Sequence, residues 1–135
     1  MKYQSNYLFV YGYLMQSNRQ KKELEVPPMP VTFMGTAFIY GQLYLVDTFP
    51  GIIRDPKKKH RTYGEVYLLH EKKHFFEEMD RYELALPNYK TNPVYKRVIL
   101  SAHLKDRIVP CWVYEYIQPI TNLEKITSGR FHLNN

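Results

Sequence analysis

Between Glu71 and Glu83 the sequence reads EKKHFFEEMDRYE, and the carboxylates Glu77, Glu78, Asp80 and Glu83 lie close together along it. As a solvated helix face they would carry no chemistry. A helical wheel at ~100° per residue separates them, because Phe75, Phe76, Met79 and Tyr82 define one apolar stripe. Glu83 falls roughly 50° from the centre of that stripe, Asp80 about 110° away and Glu77 almost opposite. Of these four, only Glu83 points toward the core side. An inward carboxylate loses hydration, so it is paired, protonated or employed. Pairing with a lysine or arginine near the helix end, or capping a loop, satisfies that demand as well as proton transfer does. Lys72 shares the stripe, so position alone does not decide between these roles.

Three other patterns could do chemistry. His70, Glu71, Lys72, Lys73 and His74 spell H-E-x-x-H, which on a helix facing a cleft would present two imidazoles to zinc beside a glutamate base. Here His70 directly follows the strand-like run EVYLL, so it is expected to precede the helix, and two lysines beside a cation are unfavourable. His60, His103 and His132 are scattered without ligand spacing. No metal site is expected. Cys111 sits next to Trp112 in a strand-like run with no histidine beside it, which favours buried packing over nucleophilic catalysis. Neither a G-x-S-x-G elbow nor a phosphate-binding glycine loop occurs. The basic run Lys57, Lys58, Lys59, His60 and Arg61 follows a turn signal at Asp55 and Pro56. It has no interleaved aromatics and no reading helix, so it is expected to be a solvated loop with no nucleic-acid partner.

These residues need a scaffold, and 135 residues suffice for one domain spanning 1–135 with a core of its own. Hydrophobic residues at 44% and charged residues at 24% place the chain in the globular range. Nineteen Lys plus Arg against 13 Asp plus Glu give a net charge of +6, which attracts anions without naming one. A single cysteine cannot form an internal disulfide, which points to a reducing, cytoplasmic setting. The N-terminal segment makes a poor signal peptide, and no run approaches ~20 apolar residues, so no membrane span is expected. Tyrosine, at 13 residues, suits strands and pocket walls.

Segment 7–14 reads as a strand running into a tight feature at Gly12. Residues 19–25 are helix-compatible, and PPMP at 27–30 breaks any regular element. Strands are expected over 31–40 and 42–47, separated near Gly41, with a turn at Phe49, Pro50 and Gly51. Segment 62–69 alternates as a half-buried strand, 71–83 is helical, 94–100 and 108–116 are strands, and the tail from Thr121 is a short helix or loop. Together five or six strands with one clear helix predict an α+β fold, a curled sheet or small barrel. On the last strand Tyr114 and Tyr116 share a face, where they either line a cavity or pack.

The ordered set LFVYGYL, GQLYLVDTFPGIIRD, GEVYLL, MDRYE, YKRVIL and CWVYEY resembles the γ-glutamyl cyclotransferase-like family over about residues 7–116, with a weaker echo in ITSGRF. The resemblance implies an α+β fold, a small mixed β-barrel of about five to seven strands with one or two flanking helices, with a substrate cavity at one end and cleavage of γ-glutamyl compounds to 5-oxoproline, without a cofactor. The family's Y-G-T-L loop corresponds to Tyr11, Gly12, Tyr13 and Leu14, whose backbone N–H groups would hold a small γ-glutamyl substrate. The glutamate of its L-D-x-Y-E segment, the general acid/base, corresponds to Glu83, and Tyr114 is a candidate for the cavity wall. Tyr13 replaces the usual threonine and Leu84 follows Glu83 where glycine is common.

Overall fold

The computed structural model describes residues 5–12, 31–84 and 94–132, with side chains along the helix as far as Met79. Seven strands and one helix are present among them: β1 (Tyr7–Val10), β2 (Val31–Val46), β3 (Phe49–Arg54), β4 (Arg61–Leu69), α1 (Lys72–Leu84), β5 (Tyr95–His103), β6 (Ile108–Tyr116) and β7 (Glu124–Lys125). The strand order β1-β4-β2-β3-β6 closes on itself through the β1–β6 pairing, giving a five-strand barrel. β5 extends it beside β6 and touches β2, and β7 pairs with β2. The β1–β6 and β3–β6 seams are parallel and the other pairings antiparallel, so the barrel is mixed as expected.

Closure depends on β2. Its first part, Val31–Tyr40, pairs with β4, and Gly41–Val46 pairs with β3. The expected break at Gly41 is therefore a change of partner within one 16-residue strand. A Cβ at Gly41 would lie 2.9 Å from both Cδ1 and Cγ1 of Ile52, so the missing side chain lets the two strands cross closely. The expected turn at Phe49–Gly51 is instead the start of β3. The chain reverses at Asp47 and Thr48, where Asp47 adopts the left-handed φ of 58° that aspartate tolerates.

Alternation sorts side chains to the two sides of the barrel wall. Phe9, Leu43, Ile52, Val66, Cys111 and Val113 fill the interior at no more than 1% exposure, and burying each large apolar side chain contributes about 1.5–3 kcal/mol. Leu8, Val10, Tyr67 and Leu69 point outward and are covered by Phe75, Phe76 and Met79 of α1. The stripe expected from the wheel is thus the buried face of the helix; Tyr82 lies beyond the described side chains. β4 is not half-exposed as its alternation implied, because α1 covers the outer side of its C-terminal half and Glu65 and Tyr67 are both buried. The tail forms the short β7 and turns in place of the expected helix or loop. The expected element at 19–25 lies outside the described residues, as do Tyr13 and Leu14. No described helix is long and apolar enough to cross a membrane.

Candidate functional site

β1 pairs with β4 only as far as Val10, after which Tyr11 and Gly12 leave the ladder as irregular backbone. Tyr11 anchors this departure. Its ring is buried with the barrel interior and stacks on Phe9 at 6.3 Å. Its hydroxyl donates to the Tyr114 carbonyl at 2.5 Å and accepts the Ile52 N–H at 3.3 Å, tying the loop to β6 and β3. Gly12 comes next, where a Cβ would meet Cγ of Pro50 at 2.9 Å. Pro50 is fixed in turn, because its carbonyl accepts from the Tyr95 hydroxyl at 2.5 Å. Contacts to β3 and β6 thus fix where the chain leaves β1.

The other end of β1 is equally constrained. The Ser5 hydroxyl donates to the Pro110 carbonyl at 2.6 Å, and the Trp112 indole donates to the Ser5 carbonyl at 2.8 Å. α1 then packs on the outer side of β1 through Leu8 and Val10. Glu83 lies in the last turn of this helix. The fold therefore mounts the helix carrying Glu83 on the strand that delivers Tyr11 and Gly12. Tyr114 joins the same neighbourhood in two ways: its backbone carbonyl holds Tyr11, and its partly buried ring packs with Trp112 against the helix cluster. Tyr116 is buried, with its ring edge-on to Tyr95 at 6.2 Å.

Two further carboxylates, Glu115 and Glu65, are buried. Glu115 accepts from three donors of Arg54, the backbone N–H at 2.9 Å, Nε at 3.0 Å and Nη2 at 2.8 Å. Burial pushes the Glu115 carboxyl up, but the Arg54 contacts outweigh it and hold the group below the usual carboxylate range. Arg54 is held above its ordinary value, chiefly by the hydrogen bond to Glu115. This pair fastens the parallel β3–β6 seam, where the ladder matches only Ile52 with Glu115. Glu65, opposite Val10 on β4, accepts from the Tyr67 hydroxyl at 2.9 Å. A carboxylate inside an aromatic-rich strand run was the available signal for both.

The structure places the other candidates away from chemistry. His70 precedes α1 and shares a 2.6 Å hydrogen bond with Thr32, so the H-E-x-x-H spacing is not helical. No group of histidine, cysteine, aspartate and glutamate suited to a metal ion occurs among the described residues. Cys111 is fully buried, and burial pushes its thiol up to about 12, which disables it as a nucleophile. A groove of about 630 Å³ lies along Thr36, Phe38, Tyr63, Glu65, His103 and Arg130, and neither Tyr11, Gly12 nor Tyr114 lines it.

Comparison with known proteins agrees with this fold. The fold is similar to that of an uncharacterized protein from Pyrococcus horikoshii (TM-score 0.62, 23% identity, 94% of this chain and 90% of the other). It is likewise similar to an AIG2-like protein from Mus musculus (TM-score 0.65, 21% identity, 96% of both chains). The protein ytfP from Escherichia coli is a third such structure (TM-score 0.60, 24% identity, 93% of this chain and 95% of the other). No curated protein sequence matches significantly. Residues 8–133 match the model of the family described as gamma-glutamyl cyclotransferase, AIG2-like, and the chain belongs to that family.

Proposed function

We propose that the protein is a γ-glutamyl cyclotransferase-type enzyme that converts a γ-glutamyl amine or dipeptide to 5-oxoproline and a free amine. The observation that carries this reading is the mounting of α1, with Glu83 in its last turn, on the strand that ends in the anchored Tyr11–Gly12 backbone. Family membership supports the same reaction class.

In this reaction the substrate's α-amine attacks its own γ-carbonyl carbon. A C–N bond forms to close the five-membered ring, and the original amide C–N bond breaks. No water is consumed. Because both reacting groups belong to one molecule, fixing its folded conformer supplies much of the rate, with effective molarities of about 10⁵ to 10⁸ M for well-oriented pairs. The α-ammonium gives up a proton before attack and the departing amine takes one up, so a single carboxylate between them serves both steps. Glu83 has that role, and backbone N–H groups from Tyr11 to Leu14 hold the glutamyl carboxylate or the developing oxyanion. Tyr13, bulkier than the family's threonine, narrows the range of substrates, and Tyr114 forms part of the wall. The reaction needs no metal or organic cofactor, and the buried thiol of Cys111 suits a reducing cytoplasm.

The test is 5-oxoproline release from a panel of γ-glutamyl dipeptides and γ-glutamyl amines. Release from at least one member is expected. Saturable binding of these compounds without any release would identify a non-catalytic binding domain of the same fold.

A further inference from the structure

The outer side of the barrel wall carries a second organised surface, far along β4 from the residues covered by α1. Phe38 and Tyr40 of β2, Tyr63 of β4 and His103 of β5 form a continuous ring cluster there. Phe38 and His103 are stacked at 4.7 Å with only 6° between their planes. Tyr40 meets His103 edge-on at 5.1 Å and Phe38 at 5.3 Å. Tyr63 lies 6.0 Å from Phe38. Two arginines lie on these rings: the Arg61 guanidinium is 4.3 Å from the Phe38 ring centre, and that of Arg130 is 4.0 Å from the Tyr63 ring centre. Lys58 reaches over Tyr40 at 5.8 Å.

Among the described residues the charges here are unbalanced. Arg61 and Arg130 are exposed, and neither makes a salt bridge to a described carboxylate. Asp55, the acid nearest in sequence to the basic run, is used internally: it accepts from the backbone N–H groups of Lys57, Lys59 and His60 and pairs with the His60 ring. Glu65 is buried and holds Tyr67. Asp106 is flanked in sequence by Lys105 and Arg107. The positive field is felt locally, since His103 is held below the usual imidazole range by burial and then by Lys58 and Arg61.

A guanidinium held over an aromatic ring can still offer its N–H donors to phosphate oxygens and its planar group to a stacked base. The groove of about 630 Å³ runs beside it, past Phe38, Tyr63, His103, Lys105 and Arg130. We propose that this aromatic and cationic face of β2, β4 and β5 binds single-stranded nucleic acid, with bases stacking on the Arg61 and Arg130 planes and phosphates meeting Lys58 and Lys105. Among the described residues the one helix lies on another part of the barrel, so none of them offers a helix here to enter a duplex groove. Taken along the chain, the basic run lacks aromatics; the sheet supplies them from neighbouring strands.

The test is fluorescence anisotropy of the full chain with a labelled ten-nucleotide oligouridylate, titrated at several salt concentrations. If Lys58, Arg61, Lys105 and Arg130 each neutralise one phosphate, the logarithm of the binding constant falls against that of salt with a slope of about −3. The double variant R61E/R130E should bind about tenfold or more weakly, while Lys73→Glu at the start of α1 should bind within about twofold of the parent. R61K/R130K keeps charge but loses the planes, so it should weaken oligouridylate binding and leave heparin binding unchanged. Unchanged melting temperatures would show that all three remain folded. No binding at low salt, parental affinity in R61E/R130E, or equal affinity for oligouridylate, heparin and polyglutamate would each overturn the proposal.

Discussion

The two ends of β4 present the same kind of face to the outside and cover it differently. At the C-terminal end Tyr67 and Leu69 are sealed under Phe75, Phe76 and Met79 of α1. At the N-terminal end Tyr63 and its neighbour Phe38 remain partly exposed, with the exposed arginines Arg130 and Arg61 over their rings and no described helix covering them. A helix excludes water over a wide strip and contributes through burial. A guanidinium covers one ring face and contributes little while exposed. Under the proposed function the sealed end gives rigidity to the helix that carries Glu83, and under the proposed nucleic-acid contact the roofed end meets the ligand.

This contrast is easiest to break at the sealed end. Met79 is 2% exposed, so Met79→Ala should cost about 2–5 kcal/mol in urea unfolding and lower 5-oxoproline release as α1 loosens from β1. A cost comparable to that of a surface substitution would show that α1 does not depend on this seal.

Between the two ends, the β3–β6 seam depends on a charge. Glu115→Gln should destabilise by about 1–3 kcal/mol at neutral pH, because a carboxylate that accepts from Arg54 is replaced by an amide. The Glu115 carboxyl is held below its ordinary value in the folded protein. Its stabilising effect is therefore complete above the unfolded carboxylate value of about 4.3 and is lost as pH falls through the lower folded value. The gap between parent and variant should close in that acid range; a gap independent of pH would assign the effect to packing.

At the loop, Gly12→Ala places a methyl 2.9 Å from Cγ of Pro50 and should shift the loop, lowering turnover by about tenfold, roughly 1.4 kcal/mol, with a smaller change in melting temperature. The smallest effect belongs to the roofed end. Arg61→Ala should change unfolding free energy by no more than about 0.5 kcal/mol, which differential scanning would register as a nearly unmoved transition.

The sequence showed some of this architecture and concealed the rest for identifiable reasons. α1 was legible because Phe75, Phe76 and Met79 repeat at helical spacing and the structure buries all of them. The expected place of Glu83 beside that stripe lies beyond the described side chains. The continuity of β2 was not legible, because glycine at position 41 reads locally as a break, and only the approach of Ile52 explains it. Pro50 and Gly51 likewise read as a turn, whereas both are buried strand residues, and Pro50 accepts a hydrogen bond from Tyr95, 45 positions away. The anchoring of Tyr11 by β3 and β6 and the Arg54–Glu115 pair depend on contacts between distant segments, which no local pattern encodes.

The central claim is that Glu83 moves the proton, and one comparison tests it directly. Parent and Glu83→Gln are assayed for 5-oxoproline release from the best γ-glutamyl substrate, with substrate binding measured in parallel. Loss of a general acid/base should lower turnover by about 10² to 10⁴ while binding and melting temperature stay near parental values. Undiminished release by a folded Glu83→Gln protein would contradict the assignment.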